Sequence, residues 1–218
     1  MSPGKQKTLL VILVEKPSIG AGHGNFEQSI FATLMMDMVE MCRKIPNTEL
    51  LVAIPPALGK HKVKDVVGQP TAIWQQEHST FTVRLREAFE LGFEQGFPHV
   101  IILGTHCPTL HERLLELAVK SLDDFPLVLG PVKQGGYYLV GESVYIPDIL
   151  QHLRWNKSPL QEMMKLTAKH RIRVKLLPEL EGLDTSAKKK WDPQEILELK
   201  KEYLQEVLRS KRISISLN

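Results

Sequence analysis

Unbroken apolar runs alternate with amphipathic stretches over the first two thirds of the chain. "LLVILV" (9–14) is continuous, the pattern of a central strand covered on both faces. Residues 28–45 then carry Phe31, Leu34, Met35, Met38, Cys42 and Ile45 at helical spacing. "LLVAI" (50–54) predicts a second strand, stopped by Pro55 and Pro56, and "TAIW" (71–74) a third. "TVRLREAFELGFEQGF" (82–97) predicts a helix and "HVIIL" (99–103) a strand. A helix over 110–122 and strands at "PLVLG" (126–130) and "YYLVG" (137–141) follow. This alternation predicts an α/β fold with a mostly parallel sheet and helices on both faces.

In such sheets ligands bind beyond the carboxyl ends of the strands. Three loops fall at such ends: "GAGHG" (20–24), "GTHCPTL" (104–110) and "GPVKQGG" (130–136). Farther on, "TSAKKKWDP" (185–193) reads as a linker. Asp192 suits a helix N-cap and Pro193 a first helical position. From about 193 to 210, Ile196, Leu199, Tyr203 and Val207, flanked by Leu197, Leu204 and Leu208, form a broad apolar face that predicts docking.

Composition narrows the classes. The chain has 218 residues, 43% hydrophobic and 24% charged, enough for one sizeable α/β core. A net charge of +3 argues for no polyanionic partner, and Lys188–Lys190 reads as a solvated linker, so nucleic acid is not expected. Cys42 and Cys107 sit in no paired motif, which fits a reducing cytosol. The apolar run near the N-terminus is too short for a signal-peptide core or a membrane span, so no membrane partner is expected.

The candidate chemistry is sparse. "GAGHG" could offer backbone N–H groups to phosphate, but it lacks the GK[ST] of a P-loop and the G-x-G-x-x-G spacing of a dinucleotide site. His106, Cys107 and His111 lie close together, yet no second ligand pair has zinc spacing; one loop residue, one small buried residue and one exposed helix residue is the simpler assignment. Gly135 and Gly136 before Tyr137 and Tyr138 mark a turn where the backbone approaches something closely, and both glycines are expected in space closed to a Cβ. There is no G-x-S-x-G and no H-E-x-x-H.

Several stretches carry a resemblance: "EKPSIG" (15–20), the helix with Arg84, "GTHCPTL", "GPVKQGGYYLVG" (130–141), "RWNKSPL" (154–160) and "LPELEGLDT" (177–185). In order and spacing, from about residue 9 to 187, the chain resembles the domain of unknown function 2064 family (DUF2064). These are bacterial GT-A-like proteins of nucleotide-diphospho-sugar-transferase type, also called radical-SAM/selenodomain-associated transferase 1. The resemblance implies a GT-A-like transferase domain over 1–187, with 188–218 as a C-terminal helical extension packed on the domain or on a partner. The family's relatives bind an NTP or NDP-sugar with a divalent metal. Carried over, the nucleotide- or substrate-binding positions are Lys16, Gly20, Arg84, Gly104, Lys133, Gln134, Gly135, Gly136, Tyr137 and Trp155. His106 and Asp184 are the candidate catalytic residues.

The chain departs from the family pattern where charge matters. A Lys-Thr-Arg stretch is replaced by "AGHGNFE". Thr80 stands at an acidic position, His106 at the Asp of Gly-x-Asp-x-Pro, Gln134 at the Asp before the paired glycines, and Gly182 at the first Asp of Asp-Val-Asp-Thr; Asp184 remains. Mg²⁺ or Mn²⁺ beside a polyphosphate needs hard oxygen ligands, which Thr80, His106 and Gln134 do not supply as anions. The expectation is a transferase-like protein with an impaired or lost metal–phosphate site and no metal cofactor. It would bind nucleotide or NDP-sugar weakly or serve as a protein-binding module, with a homodimer through the C-terminal helix as one candidate assembly. The alternative is an active metal-independent glycosyl- or nucleotidyltransferase that uses Lys16, Arg84, Lys133 and Asp184, with His106 as base.

Overall fold

The computed structural model describes residues 7–14, 30–68, 71–133, 136–152 and 159–183, together with 194, 198 and 201. One seven-stranded sheet organises them. In chain order the elements are β1 (Thr8–Leu13), α1 (Ile30–Arg43), β2 (Thr48–Ile54), α2 (Lys60–Val67), β3 (Ala72–Gln75), α3 (Phe81–Glu94) and β4 (His99–Gly104). Then come α4 (Glu112–Ser121), β5 (Leu127–Pro131), β6 (Tyr137–Glu142), α5 (Pro147–His152), α6 (Pro159–Lys169) and β7 (Val174–Leu176).

The strand order is β3-β2-β1-β4-β6-β5-β7. β1 lies between β2 and β4 in parallel register, with Leu10 opposite both Leu50 and Ile101. Only β6 among these strands runs antiparallel, against β4 and β5. The expected α/β class with a mostly parallel sheet is what the chain adopts.

Every residue of β1 is buried, as its unbroken apolar run requires. Its side chains alternate between two cores, as period-two geometry dictates. Leu10, Ile12 and Val14 join Met35, Met38 and Cys42 of α1 and Leu114, Leu115 and Ala118 of α4 on one face. Leu9, Val11 and Leu13 join Leu85 and Phe89 of α3, Ile149 of α5 and Met163 of α6 on the other. Helices thus cover both faces.

The strand order reverses at β1: the chain first winds outward to β2 and β3, then returns through α3 to β4 on the other side. That reversal opens a crevice at the carboxyl ends of β1 and β4, where open α/β sheets place their ligands. Because β6 is antiparallel, its first residues also reach this edge, and its last residue, Glu142, lies at the opposite one.

Four elements were not among those the sequence predicts: α2, α5, α6 and β7. In α2 only Val63 and Val67 are buried, one contact per turn within a charged helix, so no broad stripe marks it. Residues Gln194, Glu198 and Lys201 have helical backbone and are exposed; the rest of the predicted tail helix, including its apolar face, and the 185–193 linker lie outside the described residues. No helix among the described residues is long and apolar enough to cross a membrane.

Candidate functional site

A cavity of about 400 Å³ opens at the carboxyl edge. Its walls include Leu13 at the end of β1, Ile102 and Gly104 of β4, and Arg84 and Leu85 of α3. His106 of the turn after β4 and Gly136 and Tyr137 at the entry to β6 complete the rim. Sequence reasoning reached Arg84, Gly104, His106, Gly136 and Tyr137, and the structure brings all five to one cavity. Lys16, Gly20, Gln134, Gly135, Trp155 and Asp184 lie outside the described residues.

Arg84 has 2% of its surface exposed. Its Nε donates to Gln76 Oε1 at 2.7 Å, and Nη2 donates to the Val14 carbonyl at 2.8 Å and the Ala53 carbonyl at 3.3 Å. Gln76 Nε2 in turn donates to the Arg84 carbonyl at 2.8 Å. The guanidinium therefore ties the ends of β1 and β2 to α3 while forming part of the cavity wall. Its planar fork suits this multiple attachment, which an ammonium cannot reproduce.

His106 packs against backbone on two sides. A Cβ placed on Gly104 would stand 2.7 Å from His106 Cε1 and 2.8 Å from Nδ1, and one on Gly182 would stand 3.3 Å from Cδ2. The His106 carbonyl accepts the Leu183 N–H at 2.7 Å. Residues 180–183 form a strap along this rim. Leu180 N donates to the Pro131 carbonyl and Lys133 N to the Leu180 carbonyl, each at 3.0 Å, and Val132 bridges Leu180 in parallel.

The other candidates take different places. Lys133 is exposed and its ammonium sits 3.5 Å from Glu181 on the strap, outside the cavity lining. Cys107 turns away from His106 into the core under α1 and α4. Its thiol faces the Glu181 carbonyl at 3.4 Å and Thr109 Oγ1 at 3.7 Å, and burial pushes it up to about 11. His111 is the half-buried N-cap residue of α4, not an exposed helix residue. His106, Cys107 and His111 therefore do not converge. Among the described residues no three His, Cys, Asp or Glu side chains gather as a metal site.

The expectation for Gly136 needs correction, while Gly135 lies outside the described residues. A Cβ on Gly136 would meet only Val132 Cγ2, at an ordinary 3.5 Å. The closed glycine is Gly130, where a Cβ would lie 2.4 Å from Tyr138 Cζ. Tyr138 is fully buried and its hydroxyl donates to the Pro178 carbonyl at 3.1 Å. The close approach that "GGYY" announced is thus made by the second tyrosine on a glycine of the neighbouring strand. Leu13, Ser79, Phe81 and Gln76 were missed altogether; the first three line the cavity, and Gln76 anchors Arg84. The contact of Gly182 with His106 joins residues far apart in sequence, and no local signal announces it.

The sequence profile of DUF2064, described as an uncharacterized protein conserved in bacteria, matches residues 38–157, more than half of the chain. The chain belongs to the DUF2064 family. Solved structures agree on the fold of this DUF2064 chain. A candidate nucleotide-diphospho-sugar transferase from Desulfovibrio desulfuricans G20 aligns with a TM-score of 0.73 at 18% identity, over 93% of this chain and 98% of that one. A cytidylyltransferase from Leptospira borgpetersenii serovar Hardjo-bovis aligns with a TM-score of 0.57 at 12% identity, over 96% and 97%. The CMP:2-keto-3-deoxy-manno-octonic acid synthetase complexed with CTP aligns with a TM-score of 0.54 at 16% identity, over 92% and 99%. At these identities the likeness is one of fold. No curated protein matches the DUF2064 chain.

Proposed function

We propose that this DUF2064 chain is a transferase-fold protein whose metal–phosphate site is impaired, and that it acts as a weak binder of a nucleotide-type ligand. The contact between Gly182 and His106 carries this reading. Both stand where the family resemblance expects carboxylates, and a side chain at 182 would press the imidazole, Cδ2 lying 3.3 Å from that Cβ, as well as Val132, whose Cγ1 lies at 3.2 Å. Mg²⁺ and Mn²⁺ favour carboxylate and water oxygens. The described residues at the carboxyl edge do not fit such an ion: Thr80, His106 and Gly182 supply no anionic oxygen. The neighbour that binds CTP supports a nucleotide as the ligand class.

In the active metal-independent alternative Lys133, an exposed side chain 3.5 Å from Glu181, would have to turn from that partner to the phosphates. Protein binding through the C-terminal extension remains a proposal of the sequence alone.

Calorimetry with nucleotides and NDP-sugars, with and without Mn²⁺, tests the reading. Affinity should be in the region of ~0.1–1 mM, because apolar and backbone contacts persist without charge pairing. Mn²⁺ should not change it. His106→Asp and Gly182→Asp made together should create Mn²⁺-dependent binding, since the first substitution relieves one of the two side chains that a Cβ at 182 would press. Tight Mn²⁺-dependent binding of an NDP-sugar by the unmodified protein would replace this reading with an active transferase.

A further inference from the structure

We infer that residues 211–217, "KRISISL", which lie outside the described residues, dock as a further strand on the outer edge of β3, with their cations against the carboxylates of α3.

The pattern of the segment is that of a strand. Ile213, Ile215 and Leu217 alternate with Ser214 and Ser216, the period-two spacing that gives one apolar face. Lys211 falls on the same face as the isoleucines and Leu217, and Arg212 on the serine face. A strand this short is not stable alone, and its N–H and C=O groups need an edge to pair with. The described sheet ends in two, β3 and β7, each paired along one side.

Charge chooses between the two edges. Around β7, Arg171 and Arg173 are exposed, and Arg173 and Lys175 stand over the Phe125 ring at 5.6 and 6.0 Å. A segment led by Lys211 and Arg212 is repelled there. Beside β3 a groove of about 270 Å³ runs along α3, with Trp74 and Leu91 among Glu77, Glu87, Glu90 and Glu94. Glu77 and Glu94 are exposed, and Glu90 accepts the Tyr145 hydroxyl at 2.6 Å. Glu87 meets His78 through Oε1, while its Oε2 is buried with no hydrogen-bond partner among the described residues. A donor carried in along the edge would satisfy that oxygen, and opposite charge on groove and segment fixes the match.

The faces and the reach agree with this placement. Trp74 packs on the core beneath α3, whereas Ile73 packs with Val63 of α2 on the other. On that second side α2 exposes Lys60, Lys62 and Lys64. The face with Lys211, Ile213, Ile215 and Leu217 therefore lies toward Trp74 and the carboxylates, and the serine face toward α2. Leu183, at the end of the strap, donates to the His106 carbonyl just beyond β4. Residues 184–210, which join it to Lys211, span about 40 Å even at the rise of a helix. From β4 across β1 and β2 to β3 is about 14 Å of sheet.

Hydrogen exchange of the fragment 72–77, read by mass spectrometry, tests the pairing. At low salt its amides should exchange about tenfold faster in a chain ending at Ser210 than in the full chain. A synthetic peptide of residues 209–218 should restore the protection to the shortened chain, less so at high salt. In full-length chains, Lys211→Glu with Arg212→Glu should speed exchange at β3, and so should Glu77→Lys with Glu94→Lys. All four together should recover the protection, which a merely structural effect of either pair would not produce. If the shortened chain fails to fold, the four full-length substitutions decide alone. Equal exchange at β3 in the full and shortened chains would overturn the pairing, and so would charge reversal without rescue. Protection that rises with protein concentration alongside a dimer in sedimentation would give the edge to the segment of a second copy and overturn docking within one chain.

Discussion

Two buried charge-bearing side chains at opposite edges of the same sheet are treated differently. At the carboxyl edge, Arg84 is held by two strand-end carbonyls and a glutamine amide oxygen. At the other edge, Glu142 closes β6 with none of its surface exposed. Its Oε2 accepts the Ile146 N–H at 3.2 Å, while Oε1 has no partner among the described residues. Arginine cannot shed its proton, so the fold must solvate it with dipoles. A carboxylate can take one up, and burial pushes Glu142 up to about 8. One edge meets a buried charge with hydrogen bonds; the other meets it by neutralisation.

The largest expected effect comes from breaking the first arrangement. Arg84→Ala leaves the Val14 carbonyl and the Gln76 amide oxygen without the guanidinium at the junction of β1, β2 and α3, while the Ala53 carbonyl keeps the Val14 N–H at 2.9 Å. Each buried group so abandoned costs about 1–3 kcal/mol, so the variant should lose about 2 kcal/mol or more in urea denaturation. Arg84→Lys should recover only part, because one ammonium cannot span the three acceptors. A near-neutral Arg84→Ala would mean that the cavity wall is soft and that the contrast between the edges is not energetic.

The second effect is one of pH. The folded-state pKa of Glu142 lies above its unfolded value, so between about 4.5 and about 8 the folded protein holds a proton that the unfolded chain has released. The stability Glu142 allows is complete below about 4.5, falls as pH rises through this window and levels off above about 8. The slope from this group is at most about 1.4 kcal/mol per pH unit. Glu142→Gln removes the titration and should flatten the profile, becoming more stable than wild type near pH 8. Equal pH dependence in both proteins, followed by thermal melting, would show that Glu142 ionises freely and that its edge is wetter than its burial implies.

The same contrast explains what could be read in the chain. Apolar runs and helical spacing located every strand from β1 to β6 and the helices α1, α3 and α4, because those signals are local. The direction of β6 was not legible, since "PLVLG" and "YYLVG" look alike whichever way they run. α2 escaped because Val63 and Val67 are its only buried residues. The spacing Leu160, Met163, Met164 and Thr167 did mark α6 and could have been used. At the site, strand-end logic pointed to the loops 104–110 and 130–136, and the family resemblance singled out Arg84, Gly104, His106, Gly136 and Tyr137. It could not foresee that Arg84 is fastened to the carbonyls of Val14 and Ala53, because main-chain acceptors leave no trace in side-chain identity. The contact of Gly182 with His106 joins the strap to the β4 turn and exists only in three dimensions. Glu142 follows the predicted strand 137–141 directly, and no local pattern marks it as buried.

The smallest effects separate two kinds of glycine on the carboxyl edge. Gly130 lies under Tyr138, and a Cβ there would approach Cζ to 2.4 Å and Cε2 to 2.5 Å. The ring is fully buried and its hydroxyl is bonded to the Pro178 carbonyl, so it has no free direction of retreat. Gly130→Ala should therefore cost about 1–3 kcal/mol through overpacking. Tyr138→Leu, despite its own loss of the hydroxyl bond, should make the Gly130→Ala step cheaper. Gly136 offers the opposite case: its Cβ position is 3.5 Å from Val132 Cγ2, and its backbone is not among those with positive φ. Gly136→Ala should change stability by no more than about 0.5 kcal/mol, as surface substitutions do, even though it stands beside the cavity and one residue before Tyr137. The decisive measurement is the pair of denaturation midpoints. If Gly136→Ala unfolds as readily as Gly130→Ala, the β6 entry is as tightly built as the β5 wall, and the cavity mouth is closed by contacts beyond those of Val132. If only Gly130→Ala is affected, the carboxyl edge divides into a rigid wall at Tyr138 and an open lip at Gly136, and a ligand enters past the lip.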